Sequence, residues 1–201
     1  MNPAEIKTFL DSYQSRRERT LVIVDFGNVE KWKESLGWRV GIQELAKLVK
    51  HFSYGTQHLR RFYYGSDYGK SERSQTLSLW SQKLIERASM NRFEVVTKRV
   101  KYIHDGESRF TKKCDLDVEM AVDLIRLHEE YDSVVLFSGD GDLTYALRYV
   151  VDQYNKKAYV FGARNHIGRE IIDAKNDGVI DRLFFAEDFE SQLNMDRFRN
   201  S

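Results

Sequence analysis

The sequence predicts a three-layer α/β/α domain, and three observations carry that expectation. Short apolar runs recur at residues 21–24, 59–64, 93–96, 134–137 and 158–161. Segments with helical spacing lie between them, and strands that alternate with helices imply βαβ units and a mostly parallel sheet. The runs LVIV and VVLF are continuous rather than alternating, as strands covered on both faces are.

Taken in chain order, Ile6, Phe9, Leu10 and Tyr13 share a face and predict an added N-terminal helix. Residues 21–24 form the first strand. Ile42, Leu45, Ala46 and Val49 make the stripe of the helix that follows. The second strand is 59–64, interrupted by Arg60 and Arg61, and the third is 93–96. Leu77, Trp80, Leu84 and Ala88 form the helical stripe between them. The segment HDGESRFTKK, 104–113, reads as a polar loop, either a flap or a connector. Met120, Ala121, Leu124 and Leu127 make a third stripe, followed by the strand 134–137. Leu143, Leu147 and Val151 make a fourth, followed by the strand 158–161. Beyond Phe189 a mixed, frayed tail is expected. Pro3 is the one proline, and no glycine/serine tract or repeat divides the chain. One domain spanning residues 1–201 is therefore expected, with its core at about 20–187.

Composition narrows the function classes. Lys and Arg total 32 against 31 Asp and Glu, so a basic surface for nucleic acid must be local. A single cysteine, Cys114, excludes an intrachain disulfide and a cysteine zinc cluster, and fits a reducing compartment. The first twenty residues lack the apolar run of a secretory signal, and no window approaches the ~20 apolar residues of a membrane span. A cytoplasmic protein is the expectation. The five histidines show no ligand spacing, and neither a P-loop nor G-x-G-x-x-G occurs.

The acids are more informative. LVIVD ends on Asp25 at the carboxyl end of the first strand, and VVLFSGDGD carries Asp140 and Asp142 just past the fourth. In open parallel sheets, sites form outside those ends, where strand order reverses. Gly27, Gly139 and Gly141 are expected to let the backbone bend there. In KKCDLDVEMAVDLI, Asp117 shares a face with Met120, Ala121 and Leu124, so it should point inward at a helix N-terminus. Asp115, Glu119 and Asp123 fall on another row, expected to be a solvated charged face with Arg126. Each acid has an ordinary use: Asp142 as a helix N-cap, Asp140–Gly141 as a turn, Asp25 as a turn opener, Asp117 against a helix dipole. Four such coincidences at one sheet edge are less economical than one acidic site. Clustered carboxylates repel unless a cation joins them. Mg²⁺ or Mn²⁺ suits oxygen ligands, and a pair of such ions can clamp the attacking and leaving oxygens of a phosphodiester.

VIVDFGNVEKW, KKCDLDVEMAVDLI and VVLFSGDGDLTYALRYVVDQYNKKAYVFG together resemble the motifs of NYN domains, a branch of the PIN-like nuclease superfamily, and within it the LabA-like group. The similarity spans about residues 20–187. It implies a sheet of order 3-2-1-4-5, metal-dependent RNA cleavage, and a metal site at Asp25, Asp117, Asp140 and Asp142. Asn28 matches an asparagine that orients a ligand, a water or a phosphate. Ser138 matches the serine ahead of the paired acids. Relatives often carry glycine where Asp115 stands, and some carry an acid matching Asp123; helical periodicity selects Asp117 and places Asp123 off the site.

RNA would be gripped by cations near the acids. Lys112 and Lys113, Lys98, Arg99 and Lys101, and Arg164 are the candidates. RRFYYGSDYGKSER adds Tyr63, Tyr64 and Tyr68 as stacking surfaces, favouring single-stranded segments. The expected function is a Mg²⁺- or Mn²⁺-dependent endoribonuclease, which leaves room for an oligomer. The alternative is a regulatory RNA-binding module that keeps the fold without cutting. An aspartyl-phosphate phosphohydrolase would need D-x-D after the first strand, and the segment Asp25-Phe26-Gly27-Asn28 lacks the second acid.

Overall fold

The computed structural model describes residues 1–15, 18–53, 55–71, 73–104, 106 and 110–197. Helix α1 (Pro3–Ser15) leads into β1 (Thr20–Asp25), two short turns α2 (Phe26–Val29) and α3 (Lys33–Leu36), α4 (Ile42–Phe52) and β2 (Arg60–Ser66). Next come α5 (Leu79–Met90), β3 (Glu94–Arg99), β4 (Lys101–His104), β5 (Phe110–Lys113) and α6 (Asp117–Arg126). The last elements are β6 (Ser133–Phe137), α7 (Thr144–Tyr154), β7 (Lys157–Gly162), α8 (Arg169–Asn176), β8 (Arg182–Phe185) and α9 (Glu190–Leu193).

One sheet runs β3-β2-β1-β6-β7-β8, with every pairing parallel. The expected order 3-2-1-4-5 is corrected by a sixth strand, β8, at the edge beyond the fifth. RLFF was too short, and its preceding helix too polar, to register as a βαβ unit: α8 buries only Ile171 and Ala174. The crossover from β1 goes to one side and that from β6 to the other. The order therefore reverses between these neighbours, whose register sets Val24 opposite Phe137 and brings Asp25 level with Ser138.

The continuous apolar runs feed two cores. Val22, Val24, Val135, Phe137, Tyr159 and Phe161 face α1, α4 and α5. Leu21, Ile23, Val134, Leu136, Ala158 and Val160 face α6, α7 and α8. Burying each such side chain is worth roughly 1.5–3 kcal/mol, so both faces stabilise the layers. Phe161 stacks between Phe137 and Phe184 at centroid distances of 4.5 Å and 4.6 Å.

Several expectations are corrected. Arg60 and Arg61 do not break β2; both are buried, with Arg60 Nε donating to Ser53 Oγ at 2.6 Å and Arg61 paired with Glu94. Trp80 faces outward, because α5 buries Ser81, Leu84 and Ala88 instead, and the Ser81 hydroxyl serves Tyr64 and the Asp67 N–H. The expected loop 104–113 closes an antiparallel ribbon, β4–β5, although its residues 105 and 107–109 lie outside the described residues. The expected frayed tail is docked as far as Asp196. Leu193 is fully buried, Val40 pairs with Asn194, and Arg39 forms an ion pair with Asp196.

Candidate metal centre

The carboxyl ends of β1 and β6 and the N-termini of α6 and α7 meet at one point. Asp25 closes β1 and turns the chain directly into α2, accepting from the Asn28 N–H at 3.2 Å. Its second oxygen accepts from Ser138 Oγ at 2.9 Å, which ties β1 to the end of β6. Ser138 Oγ also accepts from the Asp140 N–H at 3.1 Å. Asn28 Oδ1 receives the Gly139 N–H at 2.9 Å and Trp32 Nε1 at 2.8 Å. Trp32 is fully buried, so Asn28 is held from behind by a rigid wedge. Asp25, Asn28, Ser138 and Asp140 thus form one connected polar set.

Asp140 caps the turn that precedes α7, accepting from the Asp142 N–H at 3.1 Å. The cap expected at Asp142 is therefore supplied two residues earlier, and the Asp142 side chain is exposed. Asp117 opens α6 on the inward row with Met120 and Leu124, as its spacing requires. Its carboxylate joins those of Asp140 and Asp142 in a group in which one oxygen from each residue lies within 4.8 Å of the other two. Asp25 stands just outside this triad.

The electrostatics register the crowding. Burial is the largest influence on Asp117, followed by Asp115, Asp140 and Asp25, and together they push its carboxyl up to about 7. Asp25 is raised as well, chiefly by burial, with Ser138 and the Asn28 N–H acting against the shift and Asp140 adding to it. Asp115 moves down, held there by the Asp117 N–H it accepts at 3.0 Å. Three hard oxygen donors, one of them close to neutral protonation, make a donor set that fits Mg²⁺ or Mn²⁺ and satisfies neither thiolate- nor imidazole-seeking metals.

This raised carboxyl has a measurable cost. The folded value exceeds the unfolded one, so the folded state holds the proton more tightly, and stability falls as pH rises from about 4 towards 7. Asp117→Asn keeps a donor for Asp115 and removes the charge. Solvent screens this partly exposed side chain, so the variant is expected to gain about 1 kcal/mol of stability above pH 7, or roughly 2–4 °C, without added metal. The difference from the wild type should vanish near pH 4. Thermal unfolding across that range measures it, and a uniform offset at every pH would refute the assignment.

Asp123 is placed away from the site, as its face requires, but it is not solvated. It is 7% exposed and accepts from Tyr63 Oη and Arg126 Nε. These donors explain why a carboxylate tolerates the core there. The expected glycine bends are also corrected. Positive φ among the glycines occurs at positions 37, 55, 69, 106 and 178, not at 27, 139 or 141. Gly139 is instead a matter of space, since a Cβ there would lie 1.7 Å from the His166 carbonyl oxygen.

The expected RNA-gripping cations differ in availability. Lys112 pairs with Asp67 at 2.7 Å, and Arg164 pairs with Asp188 at 3.1 Å while lying over the Phe185 ring. Lys113 is exposed at the end of β5. Two neighbours were missed. Lys31 is close enough to Asp25 to oppose the rise in its carboxyl, a placement that depends on the short turns after β1. Glu170, in the first turn of α8, lies against Gly141, where a Cβ would come 2.4 Å from its carboxylate. No apolar spacing marks either residue.

A parallel sheet with acids gathered at its switch point defines a three-layer α/β domain with a candidate metal centre. The chain belongs to the NYN domain family, whose pattern matches residues 19–183. A stretch of 57 residues is 40% identical to the low amplitude and bright protein LabA of Synechococcus elongatus, covering 27% of this chain and 31% of that protein. The match thus spans about a third of LabA. A crystal structure of a Vibrio parahaemolyticus protein of unknown function has the same fold, with a TM-score of 0.62 and 22% identity over 88% of this chain and 96% of the other. No helix among the described residues is long and apolar enough to cross a membrane.

Proposed function

We propose that this protein is a ribonuclease that hydrolyses RNA phosphodiester bonds with Mg²⁺ or Mn²⁺ held by Asp117, Asp140 and Asp142, and with Asp25 beside them. The observation that carries this reading is the approach to within 4.8 Å of one oxygen from each of those three carboxylates, delivered by two separate elements, the start of α6 and the loop after β6. A divalent ion there supplies positive charge for a phosphoryl oxygen and lowers the pKa of a water.

The chain's own groups have separable tasks. Ser138 fixes one oxygen of Asp25 and, through the Asp140 N–H, the start of the acidic loop. Asn28 holds the Gly139 N–H and with it the spacing between β1 and β6. Asp117, whose carboxyl burial and its acidic neighbours push up to about 7, would have to give up any proton it carries in order to hold a cation. Lys31, beside Asp25, limits the negative charge presented to an incoming phosphate.

The test is incubation of the purified protein with end-labelled single-stranded RNA and Mn²⁺, with an EDTA control. Internal cleavage products that require the metal are expected. Retention of intact RNA with metal present would replace the nuclease with a non-cleaving binding or regulatory module.

A further inference from the structure

The β4–β5 ribbon breaks a pairing rule beside the acidic centre. Its register sets Lys101 directly opposite Lys113, and like charges facing each other across an antiparallel pair are destabilising. Residues 98–104 and 110–113 carry Lys98, Arg99, Lys101, Lys112 and Lys113 and no acid. Most of these cations are already engaged: Lys98 with Glu119 at 2.9 Å, Lys112 with Asp67 at 2.7 Å, and Arg99 over the Tyr68 ring. Among the described residues, Lys101 and Lys113 form no direct ion pair, and Lys113 acts only at longer range on Asp115.

The two faces of the ribbon differ. Tyr102 and Lys112 point towards the Asp67 loop, where the Tyr102 hydroxyl donates to Asp67 at 2.7 Å. Side chains alternate along a strand, so Lys101, Ile103, Thr111 and Lys113 occupy the opposite face. All four are exposed, Ile103 by 49%. The lysine rung is the end nearest the acids, since β5 stops at Lys113 and α6 begins at Asp117. The next rung on that face, Ile103 opposite Thr111, lies about 7 Å further out. Two unpaired ammonium groups followed by an apolar step match a nucleotide's phosphate and base, in that order.

We propose that the open face of the β4–β5 ribbon is the track for the RNA strand flanking the acidic centre, with Lys101 and Lys113 clamping a backbone phosphate and Ile103 supporting an unpaired base. This deepens the nuclease reading and rests on it for the identity of the ligand. The substrate class it selects is single-stranded RNA, because a paired base could not turn onto Ile103.

The experiment measures binding separately from cleavage. In an Asp140→Asn background, fluorescence anisotropy follows a labelled single-stranded RNA and its duplex over a salt series. Lys101→Ala/Lys113→Ala should weaken single-strand binding roughly tenfold and reduce the slope of log affinity against log salt by about 1. Ile103→Ala should weaken single-strand binding roughly threefold with the slope unchanged. Lys101→Arg/Lys113→Arg should retain both affinity and slope. Because the alanine pair relieves a repulsion, its unfolding temperature should not fall, which excludes loss of the ribbon as the cause. No binding at low salt, an unchanged slope in the alanine pair, or equal binding of duplex would overturn the proposal. If the slope drops while the wild type cleaves nothing, the track stands and the nuclease reading fails. If the wild type cleaves and the slope is unmoved, the track alone fails.

Discussion

Asp140→Asn is expected to lower Mn²⁺-dependent RNA cleavage by more than about 100-fold while leaving the fold intact; that is the upper range seen when an outer-sphere partner of a metal ligand is removed, and a direct ligand should cost at least as much. The choice of residue matters. Asp140 accepts from the Asp142 N–H with Oδ1, and an asparagine keeps that oxygen, so the turn before α7 remains capped. Asp25→Asn is a less clean probe. Both Asp25 oxygens accept, one from the Asn28 N–H and one from Ser138, and an amide nitrogen would replace one of them. Asp140→Asn also removes one of the charges that raises Asp117. Two readouts should therefore move together: cleavage disappears, and the pH-dependent destabilisation traced to Asp117 shrinks. A variant that cleaves at the wild-type rate would show that the triad is not the reacting centre. A variant that loses cleavage but keeps the metal-induced rise in unfolding temperature would move the ligand role from Asp140 to the remaining acids.

Much of this site was legible from sequence because its acids sit at positions that apolar periodicity marks. Asp25 and Asp140 end runs whose every residue is buried, and Asp117 heads a stripe continued by Met120 and Leu124. Such runs fix where a strand stops and which way a helix faces. The elements missed lacked that signal. In β4–β5 most side chains are exposed, so no alternation of polar and apolar residues announces the strands. In α8 and β8 few residues are buried, and polar content masks them. The docking of α9 depends on contacts with α4 that only the tertiary fold creates. Asp123 illustrates a different limit. Its row lies away from the acids, as its face requires, yet its burial is set by Tyr63 and Arg61 arriving from β2, which no local pattern reports, while Arg126 joins from the next turn of the same helix.

Gly139→Ala should be among the most damaging single-methyl changes in the chain. The backbone there has no positive φ, so conformational strain is not the reason. The reason is volume. An added Cβ would meet the His166 carbonyl oxygen at 1.7 Å and its carbon at 2.8 Å, and these are backbone atoms of the segment joining β7 to α8. That segment is anchored in turn, since the Gly168 N–H donates to the Gly139 carbonyl at 2.8 Å. Relief would require the loops after β6 and β7 to part, breaking that bond and shifting the Gly139 N–H from Asn28. Overpacking of this kind costs roughly 1–3 kcal/mol and more where backbone must move; we expect about 3 kcal/mol, lowering the unfolding temperature by roughly 6–12 °C. Two neighbouring glycines serve as controls. At Gly27 the nearest atom to a new Cβ is Asp25 Oδ1 at 3.5 Å, an ordinary contact, so Gly27→Ala should unfold within about 2 °C of the wild type. At Gly141 the obstacle is the exposed Glu170 side chain, whose carboxylate can swing aside while its Cβ, 2.9 Å away, requires a small shift of α8. Gly141→Ala should therefore fall between the two. The same ranking is expected for metal affinity, because the loop that Gly139 seats carries Asp140 and Asp142, and Asp117 arrives from a separate element that does not follow it. Unfolding temperatures and Mn²⁺ titrations on the three variants test both orders, and Gly139→Ala behaving like Gly27→Ala would show that the close seating of these two loops does not hold the acids in place.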